Sequence, residues 1–213
     1  MKIYNYEKRC ELRDSSIFRQ TNAAFNYHGD NSPRNCGYLM KLIRELNPCS
    51  PDDFVRKYLQ WRKSNINERY VLANNLEDFM EQTGLGYELS VNLLLIYLCD
   101  NTWRGYYNEN KAIRGIYRFF MDNASDSSNW DIRHAKSEID VGYAIDILIY
   151  HYGKLRCGIQ LKPQSFFDKG RKTYNEDIQR NVSKIRSFEK DYNVEAGFWT
   201  YEEIEAEKHA RRV

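Results

Sequence analysis

The chain has 213 residues, of which 42% are hydrophobic and 29% are charged, and its formal net charge is +2. This composition is typical of a globular protein with one good core and room for a helical extension. No apolar run reaches the roughly 18 residues of a membrane-spanning helix, and the N-terminus lacks the apolar core of a signal peptide. We therefore expect a cytoplasmic protein without membrane contact. The five cysteines form no CxxC pair, which argues against a zinc site and favours free thiols.

Charge is distributed unevenly along the chain. Residues 1–63 contain 12 Lys and Arg against 7 Asp and Glu, and residues 154–190 contain 10 against 4. Residues 64–153, which lie between them, contain 7 basic and 13 acidic residues. Phosphate affinity comes from Lys and Arg and metal affinity from carboxylates, so this pattern suits a metal-dependent enzyme that acts on a polyanion. A solvated charged surface explains each basic block equally well.

The first third of the chain is predicted to be helical. Apolar residues at helical spacing predict a helix over Tyr38–Leu46, which stops before Pro48. Ser50 and Pro51, followed by two aspartates, are a good helix start and predict a second helix. A third helix is predicted over residues 66–81.

An almost wholly apolar segment follows at Leu85–Cys99. It is too long for a typical strand, so it predicts a buried helix. Glu88 is its only charged residue. A carboxylate in an apolar helix is costly unless something pairs with it, which makes Glu88 a candidate functional acid. The alternative is an exposed glutamate in the first helical turn, where the helix dipole favours negative charge.

Residues 100–121 combine aromatic and basic side chains at a spacing that predicts an amphipathic helix after a loop. Small polar residues then predict a mobile loop over Asp122–Asn129, and Trp130–His134 is a candidate strand. Glu138 and Asp140 follow this strand. Both acids compete for a metal-binding role. Asp140 ranks below Asp146, because it would oppose Gln160 only if the hairpin turn were centred on Tyr150, inside an apolar run. Either acid could still approach the site from a loop.

The centre of the chain is a predicted β-hairpin. Two apolar, β-branched runs, Val141–Tyr150 and Leu155–Leu161, are separated by a short segment that contains Gly153. Side chains alternate between the two faces of a strand. One face of the first strand is therefore expected to carry Tyr143, Ile145, Ile147 and Ile149.

The register of this hairpin brings three polar side chains together. A turn centred on Gly153 places Asp146 directly opposite Gln160, and Lys162 shares the face of Gln160. A carboxylate, an amide and an amine would then converge. A half-step slip of the register would separate Asp146 from Gln160, so the pairing is a testable prediction.

The chain after the hairpin predicts one more helix and one more strand. Pro163 ends the second hairpin strand, and residues 164–173 form a basic loop. Asn175 is predicted to cap the following helix. The apolar stripe of that helix consists of Ile178, Val182, Ile185 and Phe188. With a strand over Ala196–Tyr201, the element order predicts an α/β core of mixed sheet with helices against it.

The motif formed by Asp146, thirteen further residues and Gln160-Leu161-Lys162 resembles the signature of the PD-(D/E)XK nuclease superfamily, with Gln160 in place of Asp or Glu. The superfamily pattern covers about half of the chain. Within the superfamily, the chain is similar to the MjaI-like type II restriction endonucleases. The matching segments are Asn31–Gly37, Ile145–Asp146 and Ile159–Pro163 with Ser165.

The resemblance implies a core of mixed β-sheet flanked by helices. Residues 1–82 would be a mainly helical region that could recognise DNA, and residues 83–213 would be the nuclease core. The implied activity is Mg²⁺-dependent hydrolysis of double-stranded DNA at a short palindrome, and the narrower similarity suggests CTAG. Because a palindrome is matched by two-fold protein symmetry, we expect a homodimer.

The resemblance also assigns roles to residues. Asp146, the Gln160 side-chain oxygen and the Leu161 backbone carbonyl would bind Mg²⁺, and Lys162 would hold or activate the attacking water. Glu88 would be the auxiliary acid that the superfamily commonly places on a helix before the hairpin. The expected DNA contacts are Arg34, Asn35, Ser165, Lys169, Arg171 and Lys172.

Two other functions are compatible with the same residues. A repair or structure-specific nuclease of the superfamily would use the same catalytic set. A DNA-binding module whose active site has decayed would account for the glutamine at position 160. Since glutamine offers only a neutral oxygen, we expect weaker metal binding than Asp or Glu would give at this position.

Overall fold

The computed structural model describes residues 2–21, 39–65, 73–123, 127–168 and 174–204. The chain divides into two compact units, Met1–Tyr106 and Tyr107–Val213. The boundary expected after residue 82 therefore falls inside the first unit. None of the helices in the described ranges has the length and apolar character needed to cross a membrane.

The first unit is helical. Its helices are α1 (Tyr6–Asp14), α2 (residues 16–21), α3 (Leu39–Leu46), α4 (Pro51–Asn65), α5 (Ala73–Thr83) and α6 (Tyr87–Leu95). The chain then stays helical through a π-helical segment, Ile96–Asp100, into α7 (Asn101–Asn123). The predicted buried helix is thus confirmed. The prediction of a loop before the next helix is wrong, because helical backbone hydrogen bonding continues without a break from the π-helical segment into α7.

The helix predictions for the first third also hold. Helix α3 is described over Leu39–Leu46, and the predicted start, Tyr38, lies outside the described residues. Ser50 caps α4 by accepting a hydrogen bond from the Asp53 N–H at 3.1 Å. Helix α5 covers the second half of the third predicted helix, whose residues 66–72 lie outside the described residues. The core of this unit is built from buried side chains of α3 to α6 and the π-helical segment. It includes Leu42, Ile43, Phe54, Val55, Tyr58, Leu93 and Leu95.

A buried ion pair attaches α1 to the rest of the first unit. The Arg9 side chain is fully buried and that of Asp100 is 2% exposed. Arg9 donates from Nε and Nη2 to the two Asp100 carboxylate oxygens at 2.8 and 2.9 Å, and from Nη1 to Asp52 at 3.0 Å. This bidentate geometry satisfies both buried charges, so the N-terminal helix is fixed by a specific contact in addition to apolar packing.

The second unit is built around a four-stranded sheet with strand order β1-β2-β3-β4. The strands are β1 (Trp130–His134), β2 (Ile147–His151), β3 (Lys154–Lys162) and β4 (Glu195–Thr200). Neighbouring strands are antiparallel from β1 to β3, and β4 is parallel to β3. Helix α8 (Ser137–Tyr143) precedes β2, and α9 (Tyr174–Tyr192) connects β3 to β4. The predicted mixed α/β architecture is therefore confirmed.

Helices cover both faces of this sheet. On one face Ile147, Ile149, Ile159 and Leu161 pack with Ala112 and Ile116 of α7. On the other face Leu148 packs with Ile185 and Phe188 of α9. Two apolar layers on opposite faces explain why β2 is apolar along its length instead of alternating with polar residues.

The register predicted for the hairpin is confirmed. Ile147 pairs with Ile159 and Leu148 with Gly158, which is the pairing of a turn centred on Gly153. A bulge between Ile149 and Tyr150 shifts the pairing by one residue near the turn.

The start of the first strand differs from the prediction. The strand begins at Ile147 and not at Val141, because Val141–Tyr143 complete α8 and Ala144 then adopts a left-handed conformation with φ 56°. Because of this change of direction, Ile145 packs on the same face of the sheet as Leu148. The prediction that Ile145 and Ile147 share a face is therefore wrong.

The elements after the hairpin agree with the prediction except at the helix start. The final strand is β4, one residue earlier than predicted. Helix α9 begins at Tyr174, so Asn175 lies in its first turn and is not its cap. Of the predicted apolar stripe, Ile185 and Phe188 are buried. The other two members, Ile178 and Val182, are half-buried.

Gly158 lets β3 and α9 approach closely, and this contact gives a prediction for stability. A Cβ at position 158 would lie 2.6 Å from Phe188 Cε1, and the Phe188 ring is fully buried against Tyr143 and Tyr192. Because the ring has little room to move, we expect Gly158→Ala to lower the free energy of unfolding by about 1–3 kcal/mol. Urea denaturation measures this change.

Gly197 provides the matched control for this substitution. It lies on β4 opposite Ile159, and a Cβ there would meet no atom within 4 Å. Gly197→Ala should therefore leave the unfolding midpoint unchanged or raise it slightly. A Gly158→Ala protein as stable as wild type would show that the two layers are less tightly packed than described.

Candidate active site

Asp146 is held at the point where the chain enters β2. Its N–H donates to the Ile159 carbonyl at 2.9 Å, and its carbonyl accepts from the Ala135 N–H at 2.9 Å. Its side-chain Oδ2 accepts from the Leu161 N–H at 2.7 Å. These three hydrogen bonds fix the half-buried carboxylate beside the end of β3, where the predicted register places it.

Gln160 carries a buried oxygen without a partner. Asp146 bonds through its N–H to Ile159 and through its carboxylate to the Leu161 N–H, so it lies alongside Gln160, the residue between those two. The residue is 3% exposed, and its Oε1 accepts no hydrogen bond from the described residues. Buried polar atoms almost always have a partner, so an orphaned oxygen marks a position where a ligand atom or ion can bind.

Lys162 follows on the same face of β3 as Gln160. The side chain is half-buried, and its Nζ lies 5.3 Å from the centre of the Phe166 ring. Its positive charge favours the ionised form of Asp146 and so opposes the rise in the pKa of that carboxyl. The carboxylate, amide and amine expected from the sequence are therefore brought together.

Glu109 of α7 is a functional candidate that the sequence reasoning missed. It is 6% exposed, and its Oε2 lies 3.3 Å from His134 Nδ1. His134 Nε2 in turn lies 3.0 Å from Asn110 Oδ1, so the imidazole connects two adjacent residues of α7. The helical spacing of the sequence contains this information. Glu109 precedes Ala112 and Ile116 by three and seven residues and so shares their apolar helix face.

The acids at this site share one electrostatic environment. Burial, and after it the negative charge of Glu109, raises the pKa of Asp146 to about 7. Burial also raises the pKa of Tyr201, and the charges of Glu109 and Asp146 add to this effect. Negative charge near a buried carboxylate makes a cation at that carboxylate more favourable.

Glu88 lies in a different setting from the one expected. It belongs to the first unit, whereas Asp146, Gln160 and Lys162 belong to the second. The residue is exposed in the first turn of α6, and a hydrogen bond between the Tyr4 hydroxyl and Glu88 contributes, after burial, to a raised pKa of Tyr4. These features match the alternative of a surface glutamate at a helix start.

The other predicted residues fall into two groups. Ser165 is exposed in a 3₁₀ turn, Gln164–Phe167, directly after Lys162 and Pro163. Asp140 contributes to the raised pKa of Asp146, whereas Glu138 is exposed at the start of α8. The remaining predicted DNA contacts lie outside the described residues, namely Arg34, Asn35, Lys169, Arg171 and Lys172.

Some oxygen atoms at this site are of the kind that Mg²⁺ accepts as ligands. Across the described ranges, no three His, Cys, Asp or Glu side chains come together as a metal site. Mg²⁺ needs only one or two carboxylates, completed by neutral oxygens and water. Asp146 and Gln160 Oε1 are such donors, and Glu109 lies close enough for its charge to raise the pKa of Asp146. The Leu161 carbonyl is a further neutral oxygen at the site, because it points to the same side of β3 as the Leu161 N–H.

Comparisons with protein-family models, curated proteins and solved structures each found no match.

The charge on Asp146 should destabilise the metal-free protein. We expect Asp146→Asn, which keeps the acceptor for the Leu161 N–H, to raise the Tm measured in EDTA at pH 8. The pKa of Asp146 rises from 3.8 to about 7 on folding, so the folded chain binds the proton more tightly. The destabilisation by ionised Asp146 is therefore absent below about pH 4 and complete above about pH 7. The increase in Tm caused by Asp146→Asn should develop over the same pH range.

Asp131 of β1 is the control for this experiment. Its side chain is 58% exposed and lies 3.7 Å from the guanidinium of Arg133. Asp131→Asn should therefore leave the Tm almost unchanged at both ends of the pH range. A fall in Tm for Asp146→Asn at pH 8 would show that the carboxylate is stabilising and would contradict the expectation.

Proposed function

We propose that this protein is a Mg²⁺-dependent nuclease of the PD-(D/E)XK superfamily that cuts double-stranded DNA. The observation that carries the proposal is the buried Gln160 oxygen, which has no hydrogen-bond partner among the described residues and lies beside Asp146 and near Lys162 on the same strand. A wet polar face on the hairpin would leave these groups exposed to water. Burial of an orphaned acceptor beside a carboxylate with a raised pKa instead suits a site built for a cation.

Glu109 takes the auxiliary acidic role in this proposal, in place of Glu88. Both glutamates lie on helices that precede the hairpin, which is the position that the resemblance requires. Only Glu109 affects the pKa of Asp146 and lies in the same unit as the hairpin. His134 Nδ1 lies 3.3 Å from the Glu109 carboxylate and would orient it when the imidazole is protonated. Partners of this kind orient metal ligands and often matter nearly as much as the ligands themselves.

The chemistry follows from the charges of the residues. Hydrolysis of a phosphodiester requires a positioned water and compensation of the charge that develops on the phosphate. Bound Mg²⁺ would polarise the phosphate and lower the pKa of a coordinated water. Asp146, Glu109 and Gln160 would hold the ion, and the Lys162 ammonium would orient the water and neutralise the phosphate.

The most specific form of the proposal is a type II restriction endonuclease of the MjaI-like family. Its target would be a short palindrome, CTAG by resemblance, and two copies of the chain would bind it symmetrically. Ser165 supports this form, because its exposed hydroxyl follows the catalytic strand within three residues of Lys162. Hydroxyl groups at such a position commonly contact phosphate oxygens.

Plasmid digestion tests the proposal directly. Purified protein should produce discrete fragments with Mg²⁺ and none with EDTA, and sequencing the fragment ends should return one palindrome. Asp146→Ala and Lys162→Ala should abolish cleavage while circular dichroism remains that of wild type. Glu109→Gln should slow cleavage at least about tenfold, and Glu88→Gln should not.

Each alternative predicts its own result in the same assay. Nicking or smearing without a defined sequence would indicate a repair or structure-specific nuclease. Retardation of DNA without cutting would indicate a binding module with a decayed site. Normal cleavage by Asp146→Ala would remove that residue from the mechanism, and loss of activity in Glu88→Gln alone would return the auxiliary role to Glu88.

The glutamine at position 160 gives a gain-of-function prediction. Gln160→Glu adds the negative charge that the superfamily motif usually carries, so it should lower the Mg²⁺ concentration for half-maximal cleavage. The same substitution should lower the Tm in EDTA, because it adds a third carboxylate to a buried site. Gln160→Leu removes the donor oxygen and should raise the Mg²⁺ requirement. A folded Gln160→Glu protein that needs more Mg²⁺ than wild type would exclude Gln160 as a ligand.

A further inference from the structure

The two edges of the four-stranded sheet differ in how they are protected. Among the described strands, β1 and β4 lie at the ends of the strand order, so each has a hydrogen-bonded neighbour on one side. Proteins commonly block such edges, because their free backbone groups can bind another chain. On β4 the Ala196 N–H donates to the Glu189 carboxylate at 3.1 Å. The Thr200 N–H donates to the Glu203 carboxylate at 2.7 Å, so glutamate side chains partly block this edge.

The backbone of β1 presents Ile132 at the other edge. The Asn129 carbonyl accepts from the Tyr152 N–H at 3.0 Å, and the Ala135 N–H donates to the Asp146 carbonyl at 2.9 Å. Hydrogen bonds to one neighbour alternate along an antiparallel strand. The N–H and C=O of Ile132, three residues from each of these contacts, therefore point away from β2. Within the described ranges, neither group meets a partner on that side.

Two opposite charges flank Ile132 on the strand. The side chains of Asp131 and Arg133 are 58% and 57% exposed, and Asp131 Oδ2 lies 3.7 Å from Arg133 Nη1. The Arg133 guanidinium also lies 4.2 Å from the centre of the Tyr150 ring. An acid and a base placed symmetrically about one residue make the strand complementary to a copy of itself that runs in the opposite direction.

We propose that β1 pairs antiparallel with β1 of a second copy of the chain, with the two-fold axis at Ile132. Ile132 and the partner's Ile132 exchange backbone hydrogen bonds across the axis. Asp131 lies directly opposite the partner's Arg133, with Cβ atoms about 4.5–5.5 Å apart, and the second pair follows by symmetry. The expectation of a homodimer rests on the proposed nuclease function, whereas the choice of this surface rests on β1 alone.

Charge selects this register over its two neighbours. With the axis at Asp131, that carboxylate would oppose its own symmetry copy. With the axis at Arg133, two guanidinium groups would meet in the same way. Like charges directly opposite each other on neighbouring strands are destabilising. Of the three arrangements, the one centred on Ile132 alone gives two attractive pairs, so the sequence of β1 specifies the register.

Charge reversal tests this pairing. Sedimentation equilibrium of the full chain without DNA should give twice the 25.5 kDa mass of one copy. Asp131→Arg places an arginine opposite the partner's Arg133, and Arg133→Asp places an aspartate opposite the partner's Asp131. Each substitution creates two like-charge pairs and should weaken the dimer about a hundredfold or more.

Two combinations of these substitutions should restore the dimer. An equimolar mixture of Asp131→Arg and Arg133→Asp proteins brings a basic strand against an acidic one, so heterodimers should form. The double variant Asp131→Arg/Arg133→Asp exchanges the charges within one chain and should form a homodimer again. A folding defect in a single variant would not be repaired by mixing, so restoration reports on the contact itself.

Two control substitutions have milder expected effects. Asp131→Asn removes an attraction without adding a repulsion, and exposed ion pairs contribute little, so it should weaken the dimer about fivefold at most. Glu195→Arg reverses an exposed acid on β4, at the opposite edge of the sheet, and should leave the dimer unchanged.

Several results would overturn the proposal. They are a monomeric wild type, single variants that remain dimeric, and dissociated single variants that do not recombine on mixing. Plasmid digestion decides the nuclease function separately. Discrete Mg²⁺-dependent fragments from a protein that fails these tests would leave that function standing and remove β1 as the contact. The expected dimer behaviour without any cleavage would support the surface and count against the nuclease.

Discussion

The hydrogen bond from the Leu161 N–H to Asp146 Oδ2 is the contact on which the site depends. At this position β2 has not yet begun. A side-chain oxygen therefore takes the place of a backbone carbonyl as the acceptor for the Leu161 N–H. The same bond sets the carboxylate beside Gln160 and Lys162. Burial of a charge at this point is unfavourable, and one N–H with one nearby ammonium compensates only part of the cost. The raised pKa of Asp146 expresses this imbalance. A cation would remove it.

Sequence reasoning located the hairpin well because its determinants are local. Two apolar runs around Gly153 define both the turn and the pairing, and alternation then fixes which side chains meet. The strand start was misplaced because nothing in the pattern distinguishes the apolar end of α8 from a strand. What decides it is the left-handed backbone of Ala144, a conformation that alanine rarely adopts and that composition does not indicate.

The choice between the two glutamates shows a different limit. Glu88 stands out in the sequence because it is the sole charge of an apolar segment, yet its place in the first helical turn leaves it exposed. Glu109 does not stand out among the charged residues of α7. Its spacing from the apolar residues of the helix is what places it on the buried side. Long-range polar pairs are harder still to foresee. Arg9 and Asp100 are 91 residues apart, and no local pattern predicts that two charges will be buried together.

Helix α7 shows why the net charge of +2 says little about any one surface of this chain. Net charge describes the average over the surface, whereas binding depends on the field at each site. On α7 Glu109 is buried, whereas Asp122 and the basic residues Lys111, Arg114 and Arg118 are exposed, so the field around Glu109 differs from the field that solvent meets. Screening acts differently on the two sets of charges, because salt reduces interactions between exposed charges much more than between buried ones. Interactions of the buried Glu109 should therefore respond less to ionic strength than those of the exposed charges on the same helix.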